Sequence, residues 1–186
     1  MIEAELKARV HAPETVLRLV DERATGRAEV YQDTYYDTVA GTLDAEDREL
    51  RVRTVHGPDG TRSILSYKEP RIDEASGSKP EYETRVTDPD AVHAMLRGLG
   101  YVPAHAFEKR CRNYEFEAHG LAVLATLVRV PELDGTFLEI ETQVKEQDDL
   151  QDALDAVRAV LAELGIAEDD LTTDTYTGAV RAQRSA

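Results

Sequence analysis

Strict two-residue alternation of charged and apolar side chains constrains this chain more than any other feature. It begins at Met1-Ile2-Glu3-Ala4-Glu5-Leu6-Lys7-Ala8-Arg9-Val10. Successive side chains of a strand point to opposite faces, so Glu3, Glu5 and Lys7 share one face, and Ile2, Ala4, Leu6 and Ala8 the other. Ordinarily such a strand keeps its apolar set inward and its charges in water. Here the pattern recurs. Arg51 and Arg53 flank Val52, Lys68 ends Leu65-Ser66-Tyr67-Lys68, and Glu139 and Glu141 flank Ile140. Glu81, Glu83 and Arg85 alternate with Tyr82, Thr84 and Val86, and Lys109, Arg110 and Arg112 crowd another strand. If these strands close into a barrel, interior and exterior positions alternate along each one. Apolar residues then meet covering helices, and the charges face a lumen. A lumen lined with both signs is costly unless it holds water, metal and a charged ligand.

The cover and the turns are readable too. Pro13-Glu14-Thr15 opens a helix with Val16, Leu17, Leu19 and Val20 on its apolar side, closed by Gly26. Strands follow at 29–38 and 49–56, with Gly57-Pro58-Asp59-Gly60 as a hairpin turn into 61–68. The polar stretch 70–80 reads as a mobile loop before a strand at 81–86. Asp88 caps a helix that ends at Gly100, and strands at 106–117 and 121–130 turn at His119-Gly120. After a strand at 137–144, Asp148-Asp149 caps the most regular helix, with Leu150, Leu154, Val157, Val160, Leu161 and Leu164 as its stripe. A short helix is expected over 168–180, with 181–186 frayed. The expectation is an α+β fold: a closed eight-stranded antiparallel β-barrel with helices packed outside, forming a single domain over residues 1–186.

Composition narrows the partners. Twenty-two Lys and Arg stand against 37 Asp and Glu, a formal charge of −15, which argues against a nucleic-acid backbone. Cys111 is the only cysteine, so no intrachain disulfide or Cys-based zinc site is expected, and a reduced cytoplasm fits. No apolar run approaches the roughly 20 residues needed to span a bilayer. His11, His56, His93, His105 and His119 show no metal-ligand spacing.

Glu3-x-Glu5-x-Lys7, Gln32-Asp33-Thr34-Tyr35-Tyr36-Asp37, Leu50-Arg51-Val52-Arg53, Tyr67-Lys68, Glu81-x-Glu83, Lys109-Arg110 with Arg112-x-Tyr114, and Gly135-x-Phe137-Leu138-Glu139-Ile140-Glu141 stand in this order. Together they resemble the CYTH family, also called the triphosphate tunnel metalloenzymes. That family includes class IV adenylate cyclases, thiamine triphosphatases and inorganic triphosphatases. Asp174-Thr175-Tyr176 resembles the Ser-Tyr near the family's C-terminal end.

The resemblance implies that Lys7, Arg51, Arg53, Lys68 and Arg112 grip phosphate oxygens, with Arg85, Lys109 and Arg110 as further substrate-binding cations. Lys7, Arg53 and Lys68 take the catalytic roles. Glu3, Glu5, Glu139 and Glu141 would hold Mg2+ or Mn2+, with Glu81 and Glu83 as further carboxylates. The chemistry agrees: guanidinium forks suit phosphate, and these ions prefer carboxylate oxygen. The implied function is metal-dependent processing of a triphosphate, closest to conversion of ATP into cyclic AMP and pyrophosphate. The alternatives are a triphosphatase and a non-catalytic binder of polyphosphate or a phosphorylated metabolite. The expected partner is a small-molecule triphosphate, without nucleic acid or membrane, in a monomer or homodimer.

Two departures from the family pattern stand out. The strand before the last acidic pair usually carries an Asp, yet 121–130 has no carboxylate, and Ala125 is taken to occupy that place. Counting back from Tyr114 puts Cys111 where many members carry Arg, which turns Arg110 and Arg112 to the opposite face unless a bulge realigns them.

Overall fold

The computed structural model describes residues 1–186. Its strands are β1 (Ile2–Val10), β2 (Arg27–Thr38), β3 (Glu49–Gly57), β4 (Gly60–Lys68), β5 (Lys79–Val86), β6 (Tyr101–Ala118), β7 (Leu121–Arg129) and β8 (Thr136–Val144). They close into one barrel in the order β1-β5-β4-β3-β2-β6-β7-β8, and every pairing is antiparallel. The helices are α1 (Pro13–Asp21), α2 (Thr42–Ala45), α3 (Pro89–Gly98), α4 (Leu150–Glu163) and α5 (Tyr176–Arg184). No helix is long and apolar enough to cross a membrane.

The alternation of the first strand resolves with its charges inward. Ile2, Ala4, Leu6 and Ala8 point out of the barrel and join Ala125 and Leu127 of β7 and Leu138 and Ile140 of β8. Val157, Val160, Leu161 and Leu164 of the α4 region and Val16 and Val20 of α1 close over them in one cluster of 22 buried residues. Each such aliphatic side chain, fully buried, contributes about 1.5–3 kcal/mol, so the outer layer is what stabilises the sheet. In a second cluster, Tyr176 and Val180 of α5 meet Tyr35, Phe107, Cys111, Val128 and Phe137.

Three local expectations change. Helix α2 replaces a plain connection because the buried Asp37 carboxylate accepts from the backbone N–H groups of Leu43 (2.8 Å) and Asp44 (3.0 Å). The stretch 70–80 is organised rather than loose: Arg71 and Lys79 both grip Asp47, and β5 starts at Lys79. The C-terminal region differs most. Glu168–Asp170 is a single 3-10 turn, 171–175 run extended, and α5 continues through 181–184 where fraying was expected. Arg184 explains this, donating to both Glu132 carboxylate oxygens at 2.7 Å and to the Ala106 carbonyl at 2.8 Å.

The start of α5 is fixed by Thr175, whose hydroxyl accepts from the Gly178 N–H at 3.1 Å. Thr175→Ala removes that cap and should lower stability by about 1 kcal/mol, read as a reduced midpoint in urea unfolding.

Candidate active site

Strand register decides which charges meet. Glu3, Glu5 and Lys7 lie opposite Gln143, Glu141 and Glu139 of β8. Arg51 and Arg53 of β3 lie opposite Ser66 and Ile64 of β4, and Lys68 opposite Glu81 of β5. Because a strand pair shares its inward face at each level, all these charged groups enter one lumen. The structure brings Glu3, Glu5, Lys7, Arg51, Arg53, Lys68, Glu81, Glu83, Lys109, Glu139 and Glu141 into the wall of a single cavity of about 350 Å³.

The carboxylates divide into two groups. One oxygen each from Glu3, Glu5 and Glu141 falls within 4.8 Å of the others. Burial, then the charges of Glu139 and Glu3, pushes Glu5 up to about 8. Burial together with Glu3 and Glu5 likewise raises Glu141 well above the usual carboxylate range. Burial works in the same direction on Glu3, but the Lys68 ammonium bonded to it, with Arg51 nearby, holds it below its ordinary value. A half-buried triplet of oxygen donors that resists full ionisation is the donor set a hard divalent cation fits, so Glu3, Glu5 and Glu141 are the residues that would hold Mg2+ or Mn2+.

Glu81, Glu83 and Glu139 stand apart from that triplet. Glu81 lies 3.7 Å from both Arg51 and Lys68. Glu83 accepts from Ser66 at 2.8 Å. Three of the six carboxylates expected around the metal thus converge within 4.8 Å, and Glu139 adds its charge beside Glu5.

Facing the triplet are cations in unequal states. Arg53 is engaged: its Nε and one terminal nitrogen donate to Asp33 at 2.7 and 2.8 Å, and its guanidinium lies 4.4 Å from the Tyr31 ring centre. Arg51 is looser, 3.7–3.8 Å from Glu49, Glu81 and Glu83, and its buried Nε has no partner. Lys109 is buried with its ammonium 4.1 Å from the centre of the Tyr176 ring. Lys7 lies 4.6 Å from the centre of the same ring and donates to the Asp174 carbonyl. Neither lysine forms an ion pair within 4.0 Å. Burial lowers the pKa of Lys7, whereas Lys109 is held up against burial by Glu139.

Three expected phosphate ligands do not reach this cavity. Arg110 and Arg112 point outward, to Glu108 and to Asp21 of α1, because β6 turns Lys109, Cys111 and Asn113 inward. No bulge intervenes between them: the β6–β7 register runs unbroken from Arg110 to Ala118. Cys111 thus occupies the inward position, buried in the cluster with Tyr176, and burial pushes its thiol up to about 12, which keeps it protonated. Arg85 has the inward parity but is exposed, since β5 pairs with β1 only at Ile2 and Glu3 and then leaves it.

The expected place for an acid on β7 also moves. Ala125 faces the helices, and the inward residues are Leu124, opposite Glu141, Thr126, opposite Glu139, and Val128, opposite Phe137 and Cys111. The acid is absent at all three.

Sequence reasoning missed a second polar layer. Glu29, Tyr31, Asp33 and Tyr35 share the inward face of β2. Glu29 receives Arg62 at 2.7 and 3.0 Å and Asn113 at 2.7 Å, and Asn113 in turn accepts from Thr126 at 3.0 Å. Gly57 leaves room for this belt, as a Cβ there would lie 2.9 Å from the Glu29 carboxylate. Period-two spacing of Glu29 with Asp33 was the available signal. Glu49 and Tyr176 were also missed as wall residues.

Known proteins share this architecture. A Methanocaldococcus jannaschii protein with a provisional adenylate cyclase name is 23% identical over 178 residues, covering 95% of this chain and 97% of its own. The adenylate cyclase CyaB of Aeromonas hydrophila is 28% identical over 145 residues, 78% of this chain and 69% of its own. The solved PH1819 protein of Pyrococcus horikoshii superposes with a TM-score of 0.84 at 28% identity, over 98% of this chain and 99% of its own. Residues 1–176 match the family model described as the CYTH domain, and with the closed charged barrel this places the chain in the CYTH family.

Proposed function

We propose that the tunnel binds a triphosphate together with a divalent cation and cleaves it, with ATP conversion to cyclic AMP and pyrophosphate as the leading reaction. One observation carries this reading: Lys7, half-buried, and Lys109, buried, form no ion pair within 4.0 Å, and with Arg51, held only at 3.7–3.8 Å from its carboxylates, they line the same cavity as the Glu3–Glu5–Glu141 triplet. Burying a cation without a close partner is expensive, so its retention calls for an anionic ligand. The family relatives named as adenylate cyclases support the choice of chemistry.

Lys7, Lys109 and Arg51 would bind the non-bridging phosphate oxygens and hold the chain along the lumen. Arg53, fixed by Asp33, keeps one terminal nitrogen free of protein partners for the same task. A bound divalent ion would neutralise charge on the phosphates. Lys68, tied to Glu3, orients that carboxylate, and burial would lower its pKa were Glu3 and Glu81 not holding it well above the usual value. The remaining chemistry is in-line displacement, in which positioning and charge neutralisation supply most of the rate. In the cyclase reaction the ribose 3′-hydroxyl attacks the α-phosphorus as pyrophosphate leaves.

Incubating the protein with ATP and Mn2+ and resolving products by anion exchange should give cyclic AMP and pyrophosphate. Orthophosphate without cyclic AMP would instead make it a triphosphatase. No turnover with any divalent ion, alongside tight triphosphate binding, would make it a binder.

A further inference from the structure

Six hydrophobic residues line the otherwise polar cavity, and they fall into two sets. Tyr35 and Tyr176 belong to the cluster built with α5, and cations lie over their faces. Val55, Ile64 and Leu124 belong to none of the three hydrophobic clusters, and Tyr31 touches one only at its margin. Ile64 and Leu124 face the charged lumen while only half-buried and outside every core cluster, whereas Val55 is fully buried. Their placement is coherent. Tyr31 pairs directly with Val55, and Ile64 sits diagonally beyond it, next to Arg53. Strands β4 and β7 lie four steps apart in the ring of eight, so Leu124 comes from the wall opposite Ile64. Ile64 and Leu124 are both partly exposed to the cavity.

Resting on the triphosphate reading above, we propose that Ile64 and Leu124, backed by Val55 and Tyr31, form the subsite for the organic end of the substrate, so that the chain selects a nucleoside triphosphate over inorganic triphosphate. The cations grip the phosphates that both ligands share. The aliphatic walls add affinity only for a ligand with a flat apolar group to set between them, as binding pockets generally combine apolar walls with a few placed charges. Leu124 lies opposite Glu141 in register, so the apolar wall on β7 adjoins the carboxylate triplet. The Glu29–Arg62 ion pair bounds the slot on the Val55 side, since Arg62 pairs with Val55 in register.

The test compares two uncleavable ligands in Mg2+ by calorimetry: the bis(methylene) analogue of ATP and that of inorganic triphosphate. The parent protein should bind the nucleotide analogue more tightly. Ile64→Ala and, from the opposite wall, Leu124→Ala should each cut the nucleotide-to-inorganic affinity ratio by about tenfold, the lower range for lost hydrophobic contacts in a pocket. Thermal unfolding of both variants establishes that they are folded. An unchanged ratio, or an equal loss for both ligands, overturns the subsite. Failure of the parent to bind either analogue overturns the triphosphate reading itself, which is a separate result.

Discussion

Glu5→Gln is expected to lower turnover at least about a hundredfold, in the range seen when one charge-stabilising group leaves an active site. Mn2+ titration followed by electron paramagnetic resonance should show weaker binding in parallel. The same change has an opposite effect on the metal-free fold. Glu5 is held at about 8 against an ordinary 4.5, first by burial and then by Glu139 and Glu3. A carboxyl whose folded pKa is raised takes up a proton on folding, so it costs stability increasingly as pH climbs from 4.5 towards 8. Glutamine has no such slope. Metal-free Glu5→Gln should therefore unfold at a higher urea concentration than the parent at pH 8, and the gap should close near pH 4. A variant with normal Mn2+ affinity would remove Glu5 from the metal site.

Asp33→Ala carries the largest expected stability loss, about 3–5 kcal/mol, because it leaves the Arg53 guanidinium buried without its partner. Asp33 is buried, and both of its oxygens receive Arg53. Burial alone would raise its pKa, yet Arg53, with Arg51 and Lys109 behind it, drives it well below the usual carboxylate range. For a depressed pKa the sign is the reverse of Glu5: the contribution is complete above the unfolded value of 3.8 and disappears as pH falls further. Urea unfolding at pH 7 and pH 3 should thus show a large gap between parent and variant at the first pH and a smaller one at the second. Asp33→Leu combined with Arg53→Met should recover much of the stability, since apolar replacements of a buried pair are often neutral. Equal stability of parent and Asp33→Ala at pH 7 would contradict the pairing.

These two residues also mark how far the sequence could be read. Glu5 was legible because its neighbours alternate without ambiguity, and charged residues in five other strand segments fit a closed barrel with a charged lumen. Asp33 was visible within a family motif, but its role depends on pairing with Arg53 across two strands, and register is not written into either strand alone. The same physics explains the misplacements on β6 and β7. Lys109-Arg110 and Ala125-Thr126 are adjacent pairs in which either member is acceptable inward, and a slip of one residue exchanges the faces. Only the β6–β7 pairing, with Asn113 opposite Thr126, fixes the choice. The full length of α5 was hidden for a different reason: its last turn is secured by Glu132 and the Ala106 carbonyl, which are remote in sequence.

The pairing of β1 with β8 has a consequence for how the chain reaches its native state. Glu5 and Glu141 face each other across the junction between the first strand to be synthesised and the last. Until 136–144 emerges, β1 has no partner on that side, so it presents an open edge while the other barrel strands are made, and such non-local closure is intrinsically slow. The three carboxylates that would hold the cation straddle this seam, two on β1 and one on β8. An ion held there would tie the two ends of the barrel together and lower the entropy cost of their encounter. Catalytic competence and completion of folding would then be reported by the same event, since a chain with its seam unzipped has no metal site to fill.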